Sequence, residues 1–510
     1  MGVIFNEAEA VWEWLMTHLI VINLLFSIII IFFQRRDPRS VWTWLFALNF
    51  IPVFGIIFYL LFGQDLKKSR MFKVKGISDR LNMPVKSQEE IIRSSDIPEE
   101  MMDPLIRDFR SLILYNLETS GAVLTTDNQV KIYTDGQAKF EGLRTALRRA
   151  SRFIHIQYYI IKNDEVFDSI VPILEDKVRE GVEVRILYDG MGGRFMPKRR
   201  WEELRRAGIL VGVFFPPILG WLNLRVNYRN HRKIVVIDGN VGFVGGFNIG
   251  REYISKDPGF GYWRDTHLRI TGEAVMSLQI RFALDWNYAT GENLFKNEAY
   301  FRTDLKKKTD VRRDKERPAW PDPELEGSQV GMQIIASGPD TREPHIRNNY
   351  LELFHKAKHH IYIQTPYFVP DDAIFSALKM AALSGVDVRL MIPCKPDHPF
   401  VYRATCSYAG ELLDYGAKVY IYTNGFLHSK GIMVDGRVCC YGTANMDIRS
   451  FELNFEVNAT IYDEDVTGQL EEAFMNDLPH CREITREEYG DRNLWMRIKE
   501  QSSRLLSPLL

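Results

Sequence analysis

Cysteine is scarce. The 510-residue chain has five, at Cys394, Cys406, Cys439, Cys440 and Cys481, an odd number confined to the second half. No Cys-x-x-Cys pair occurs among them. A disulfide framework and a cysteine-ligated metal are therefore not expected, and buried reduced thiols are. Net charge is lacking too: 65 Lys and Arg stand against 66 Asp and Glu, a formal −1. Proteins that bind nucleic acid non-specifically usually show a strongly basic face or domain, so no nucleic-acid partner is expected. The N-terminus lacks the basic start of a cleaved secretory signal and carries Glu7, Glu9 and Glu13 instead.

What is abundant is apolar length. Residues 15–33 and 41–62 are apolar runs of 19 and 22 residues, uncharged apart from His18. A helix needs roughly 20 apolar residues to cross the hydrocarbon core of a bilayer. Trp12, Trp14, Trp42, Trp44 and Tyr59 lie near the run ends, where interfacial aromatics belong. The expectation is an N-terminal transmembrane helical hairpin that embeds the chain in a membrane. Pro52 and Gly55 would kink the second helix or make it re-entrant. Orientation is in conflict for two full spans. Arg35, Arg36 and Arg39 would hold the short loop in the cytoplasm, whereas Lys67, Lys68, Arg70, Lys73 and Lys75 would hold the start of the next region there. The larger cluster and the free cysteines favour a catalytic region on the cytoplasmic side. These lysines also suit anionic membrane lipids.

A chain of this length holds two or three domains, and an internal repeat organises most of it. FIHIQYYIIKND (153–164) matches HIYIQTPYFVPDD (360–372), and VEVRILYDG (182–190) matches VDVRLMIPC (386–394). RRAGILVGVFFPP (205–217) then matches LDYGAKVYIYTNG (413–425). The β-branched runs predict strands. DSIVPILEDKVREG and AIFSALKMAALSG predict helices ending at Gly181 and Gly385. Alternating strand and helix imply an α/β fold in each half. The expected division is residues 1–65 as membrane anchor, 66–120 as linker with helical stretches, and 121–295 as the first half. A charged connector at 296–328 and the second half at 329–510 follow. The C-terminal tail is partly amphipathic through Leu494, Trp495, Ile498, Leu505 and Leu506, which suit core packing, with membrane contact as the alternative.

Each unit closes on the same pattern, His-x-Lys-x(4)-Asp: His231, Lys233 and Asp238, then His428, Lys430 and Asp435. A Gly-x-x-Asn follows each, Gly245 to Asn248 and Gly442 to Asn445. In a strand, residues i and i+2 share a face, so each His lies beside its Lys. Bringing two such halves together gathers two imidazoles and two ammonium groups around one phosphate. Neutral His serves as nucleophile and proton shuttle, and Lys stabilises phosphoryl charge. Asn248 and Asn445 offer neutral donors, while Gly245 and Gly442 allow close backbone approach. Asp238 and Asp435 are candidates to orient an imidazole. Thr443 adds a hydroxyl contact where the first half has Gly246. Asp265 and Glu456 either hold a histidine or form ordinary salt bridges. Arg225, Arg229 and Arg232 form either a solvated face or a second anionic-headgroup site. A metal site is disfavoured, because lysines stand where a cation needs carboxylates.

The duplicated motif resembles the phospholipase D superfamily. The wider pattern is similar to its bacterial cardiolipin synthases. RRDPRS between the apolar runs, NHRKIVVIDG, ASGPD, TPYFVPDD, GTANMDIRSFELNFE and the terminal RLLSPLL carry that likeness along nearly the whole chain. The resemblance implies two pseudo-symmetric phospholipase D-like α/β halves forming one catalytic unit in a bacterial plasma membrane. It implies metal-independent, two-step phosphatidyl transfer with no cofactor. Phosphatidylglycerol would be both donor and acceptor, with His231 as nucleophile and His428 as acid then base. A homodimer is compatible with the sequence. A hydrolase using water, or a phosphatidylserine synthase using serine, would need the same residues.

Overall fold

The strands follow from runs of β-branched and aromatic residues, and the topology follows from the repeat. The computed structural model describes residues 17–33, 38–62, 86, 88–90, 103–216, 227–301, 329–341 and 343–505. The chain divides into two units, residues 1–70 with 217–228, and residues 71–216 with 229–510.

In the larger unit, the first half contributes β1 (Thr125–Tyr133), β2 (Phe153–Tyr158), β3 (Glu183–Asp189), β4 (Leu210–Phe214), β5 (Ile234–Ile237), β6 (Val241–Gly245) and β7 (His267–Thr271). The second half contributes β8 (Val330–Ser337), β9 (His360–Gln364), β10 (Asp387–Pro393), β11 (Lys418–Tyr422), β12 (Gly431–Val434), β13 (Val438–Gly442), β14 (Asn454–Tyr462) and β15 (Cys481–Ile484). They form one sheet in the order β15-β11-β10-β9-β12-β13-β14-β8-β1-β7-β6-β5-β2-β3-β4. Apart from the edge strand β15, the order is the same read inward from either side. The halves meet at an antiparallel seam, where Thr125 faces Met332 and Asn128 faces Val330.

In this sheet each half has three consecutive parallel strands, β2-β3-β4 and β9-β10-β11. Parallel neighbours need a crossover, usually a helix. The helices Val171–Arg179 and Asp372–Leu383 provide it between β2 and β3 and between β9 and β10. They stop where the sequence predicts, just before Gly181 (φ 87°) and Gly385 (φ 91°), in left-handed backbone that favours glycine. Each half has its own core. One includes Ile154, Ile156, Val184, Ile186 and Val235; the other includes Ile361, Ile363, Val388, Leu390 and Ile432. All five cysteines are unpaired, with Cys439 and Cys440 buried in β13 and the others half-buried.

Three expectations change. The helices Pro104–Asp108 and Arg110–Ser120 fall in the stretch read as linker, yet Leu105, Phe109, Leu112 and Ile113 join the core of the second half. Their spacing of three and four places them on one helix face. The C-terminal helix Leu494–Leu505 leaves Leu494, Trp495, Ile498 and Leu505 exposed and buries Glu500 against Arg492, opposite to core packing. In the smaller unit, residues 17–28 are helical and lead into a π-helical turn, Ile29–Phe33. The second apolar run is two helices, Pro38–Phe50 and Pro52–Phe62, broken at Ile51. Pro52 disfavours helical backbone at the residue before it. Among the described residues no helix is long and apolar enough to cross a membrane. The connector 302–328 and Arg225 lie outside the described residues.

Candidate active site

His231 and His428 sit in extended segments just before β5 and β12, not within a strand. Each segment is held by the opposite half: the His231 amide donates to Phe455 O (3.0 Å) and the His428 amide to Arg264 O (2.7 Å). The side chains cross over in the same way. His231 Nδ1 lies 2.9 and 3.1 Å from the two oxygens of Glu456. His428 Nδ1 lies 2.6 Å from Asp265 Oδ2. Both carboxylates are fully buried. With Nδ1 donating to a carboxylate, Nε2 of each ring carries the free lone pair. Each ring is backed by an aromatic, Tyr159 at 5.1 Å from His231 and Trp263 at 5.0 Å from His428.

Asp265 and Glu456 occupy equivalent places in the repeat. Each lies two residues before the residue facing the glycine of its Gly-x-x-Asn, since Gly245 faces His267 and Gly442 faces Asn458. The halves solve the position differently. Thr443 Oγ1 donates to Glu456 Oε2 (2.6 Å). At the matching Gly246, a Cβ would lie 1.9 Å from Asp265 Oδ1, so the shorter carboxylate takes the space of the missing side chain.

The lysines complete the cluster. Lys233 Nζ donates to His231 O (2.6 Å). Lys430 Nζ donates to His428 O in the same way. Both amines are buried, which lowers Lys233 to about 7 and Lys430 to about 8, against the pull of Glu456 and Asp265. Lys233 also feels Lys430, and His231 feels both lysines, so the two motifs share one electrostatic environment. Burial lowers His231, helped by the lysines and opposed by Glu456. Burial and the Lys430 ammonium lower His428 to about 4. Burial pushes Asp265 and Glu456 up, but their histidine and lysine partners outweigh it and hold both carboxyls below the ordinary range. The imidazoles are therefore neutral at neutral pH, while the carboxylates stay ionised.

The motif aspartates do not reach an imidazole, which corrects their expected role. Asp238 accepts from the amides of Ser151, Arg152 and Phe153 and from Ser151 Oγ at 2.7–3.0 Å. Asp435 accepts from the amides of Lys358, His359 and His360 at 2.7–2.8 Å. Both are turn residues in left-handed backbone (φ 54° and 55°), followed by Gly239 and Gly436. They pin the β5–β6 and β12–β13 hairpins to the starts of β2 and β9.

Other expected binding residues are also engaged elsewhere. Thr443 serves Glu456, as above. Gly245 and Gly442 are glycines because a Cβ would strike the neighbouring strand, 2.5 Å from His267 Cα and 2.3 Å from Val457 O. Asn248 accepts from the Ile160 amide (3.1 Å) and donates to Tyr253 OH (3.0 Å). Asn445 takes its amide to Ser450 Oγ (3.2 Å), and its side-chain oxygen is buried without a hydrogen bond. Arg232 belongs to neither expected surface: it is buried, with Nη1 donating to both oxygens of Asp285 at 2.6 and 2.7 Å. Arg229 is also buried, beside Asp189, Tyr159 and Arg449. Tyr159 and Trp263 escaped the sequence reading. Each lies far from its histidine along the chain, and only the fold brings them together.

The family profile described as cardiolipin synthase, PLD-like domain, matches residues 143–260 and 350–478, one match per half. A profile described as phospholipase D-nuclease N-terminal matches residues 21–64. The chain is 45% identical over 500 residues to a cardiolipin synthase of Listeria monocytogenes serotype 4b (strain CLIP80459), covering 98% of this chain and 99% of that one. It is 47% identical over 492 residues to a cardiolipin synthase of Staphylococcus aureus (strain Mu50 / ATCC 700699), covering 96% and 95%. The fold is similar to that of phosphatidylserine synthase from Haemophilus influenzae Rd KW20. There the TM-score is 0.57 at 16% identity, over 78% of this chain and 97% of that one. The chain belongs to the cardiolipin synthase family of phospholipase D-like proteins.

Proposed function

We propose that this chain is a phosphatidyltransferase that makes cardiolipin and glycerol from two phosphatidylglycerol molecules. The observation that carries the reading is the crossed pair: two neutral imidazoles, each held at Nδ1 by a buried carboxylate of the other half, with two lysines beside them. The negative charge of the bound phosphodiester raises His428, which takes up a proton at Nε2; His231 Nε2 then attacks the donor phosphorus, and the glycerol oxygen leaves with that proton. Lys233 and Lys430 neutralise the non-bridging oxygens as charge builds. Glu456 stabilises the positive imidazole ring of the phosphatidyl-histidine intermediate. His428 then takes the proton from the acceptor's headgroup hydroxyl, which attacks phosphorus and releases His231. No step needs a metal to supply the positive charge. The family resemblance supports His231 as the nucleophile, since the near-symmetric site leaves the order open.

The assignment of residues 1–65 as a membrane anchor is part of this reading. Exposed Ile20, Phe32, Trp42, Phe46 and Phe50 support it, because soluble surfaces seldom expose so much contiguous apolar area. The C-terminal helix also exposes Trp495 and Leu505, an apolar face suited to a lipid surface. The remaining divisions are a linker to residue 120, halves at 121–295 and 329–510, and a connector at 296–328. One chain supplies both imidazoles and both carboxylates, so a homodimer has no part in the chemistry.

The test uses purified protein in phosphatidylglycerol vesicles with chelator present and lipid products read by mass spectrometry. Cardiolipin with equimolar glycerol is expected, falling by roughly 1,000-fold or more in His231→Ala and His428→Ala. Phosphatidic acid as the sole product would mean water is the acceptor and would overturn the transferase reading.

A further inference from the structure

The second apolar run is long enough to cross a bilayer once, yet it does not form one helix. Its two helices, Pro38–Phe50 and Pro52–Phe62, have 13 and 11 residues. At 1.5 Å per residue they reach about 20 and 16 Å, short of a roughly 30 Å hydrocarbon core. They also fold back on each other. The Trp44 and Tyr59 rings lie 5.3 Å apart in an edge-to-face contact. Gly55 faces the first helix so closely that a Cβ there would lie 2.3 Å from Ala47 O.

The break is chemically completed in a way suited to lipid. Pro52 has no amide hydrogen, so it cannot donate to Leu48 O four residues earlier. Asn23, from the preceding helical segment, donates its Nδ2 to that carbonyl at 2.7 Å. An unmet carbonyl is most costly where no water is available, and neighbouring helices commonly fill that need in membranes. Asn23 is itself buried, among Ile20, Val21, Ile22, Leu24 and Leu25 of its helical segment. The turn is apolar as well: Phe50 is 70% and Ile51 54% exposed. In the sequence, Arg35, Arg36 and Arg39 flank the start of the first helix, and Lys67, Lys68 and Arg70 follow the end of the second.

We propose that residues 38–62 form a re-entrant helical hairpin, whose Phe50–Ile51–Pro52 tip lies within the bilayer and whose two ends return to the cytoplasmic face. The proposal rests on the membrane reading above and replaces two full crossings with one crossing, by residues 15–33, and one re-entry. It removes the conflict between the basic clusters, because both then lie on the cytoplasmic side, as the positive-inside tendency requires. The acidic N-terminus lies on the outer side.

Single cysteines test it in the full-length chain in cells, with a membrane-impermeant maleimide and the unsubstituted chain as background. Gln34→Cys and Gln64→Cys are expected to react only after the inner face is opened, and Asn6→Cys in intact cells. Cardiolipin formation in the same cells verifies that each variant is folded. Reaction of Gln34→Cys and Gln64→Cys from opposite sides would overturn the re-entrant hairpin and leave the anchor intact. Reaction of both from outside would overturn the orientation. Release of the unsubstituted chain from membranes by alkaline carbonate would overturn the membrane reading itself.

Discussion

In the proposed mechanism the nucleophile and the phosphate-binding groups ask opposite things of pH. His231 acts as a neutral base, and burial already lowers its pKa below 6.5. Lys233 and Lys430 act as cations, and burial lowers them to about 7 and about 8. A base is charged below its pKa, so acid spares the lysines and alkali discharges them. His428 must give a proton as the general acid, and it is lowered to about 4 in the free enzyme, so kcat/KM on phosphatidylglycerol vesicles should rise as pH falls through 6.5. It should fall on the alkaline side between about pH 7 and 8. Bound phosphate favours the ammonium forms, so the same limb in kcat should lie higher. A pH–rate series with both parameters checks this, and a kcat/KM flat to pH 9 would refute it. The clustering of two His and two Lys was readable because they recur at fixed spacing in both halves. Asp238 and Asp435 misled for the same reason. A motif records which residues occur together, and it merges those that touch substrate with those that hold the turn.

Those aspartates matter at the scale of the hairpin. Each carboxylate gathers the amides of three consecutive residues as β2 or β9 begins. Hydrogen bonds to a charged group contribute roughly 1.5–3 kcal/mol each when lost singly, and a shared acceptor is less than additive. Asp435→Ala should cost about 2–4 kcal/mol and lower the thermal midpoint. Asp435→Asn, which keeps one acceptor oxygen, should cost less. Turnover per folded molecule should change by only a few-fold, whereas a catalytic role for Asp435 would abolish it in the still-folded fraction. Thermal unfolding in detergent paired with active-site titration separates the two. Strands and crossover helices were legible from β-branched runs and the closing Gly181 and Gly385. The helical stretches in residues 103–120 were legible too, but not their place in the core, because their apolar stripe is answered by Ile335, Tyr350 and Leu353, more than 200 residues away.

Across the whole molecule, the seam between halves is made of more than strand pairing. Arg232 of the first half donates to Ser337 O and Glu456 O of the second, and Arg264 pairs with Asp477 at 2.8 Å. Thr266 and Ser429 share a hydroxyl contact at 2.8 Å. The connector should thus be dispensable once the halves have met. Limited proteolysis within residues 302–328 is expected to give two fragments that stay together and keep most of their activity, read by size exclusion and the vesicle assay. Loss of activity on nicking alone would show that the connector takes part at the site. The repeat made two halves legible. The crossing of carboxylates was not, because a duplicated sequence shows which residues are equivalent and not which copy each one serves.

That crossing has a consequence for biosynthesis. The carboxylate that holds His231 is translated 225 residues after it, near the end of the chain. On the proposed reading, residues 1–65 are made first and meet the membrane that holds the substrate. Until Glu456 arrives, the nucleophile has no fixed tautomer and its partner imidazole is only recently made. An incomplete chain, stalled or cut short, is thereby expected to leave the surrounding lipid intact.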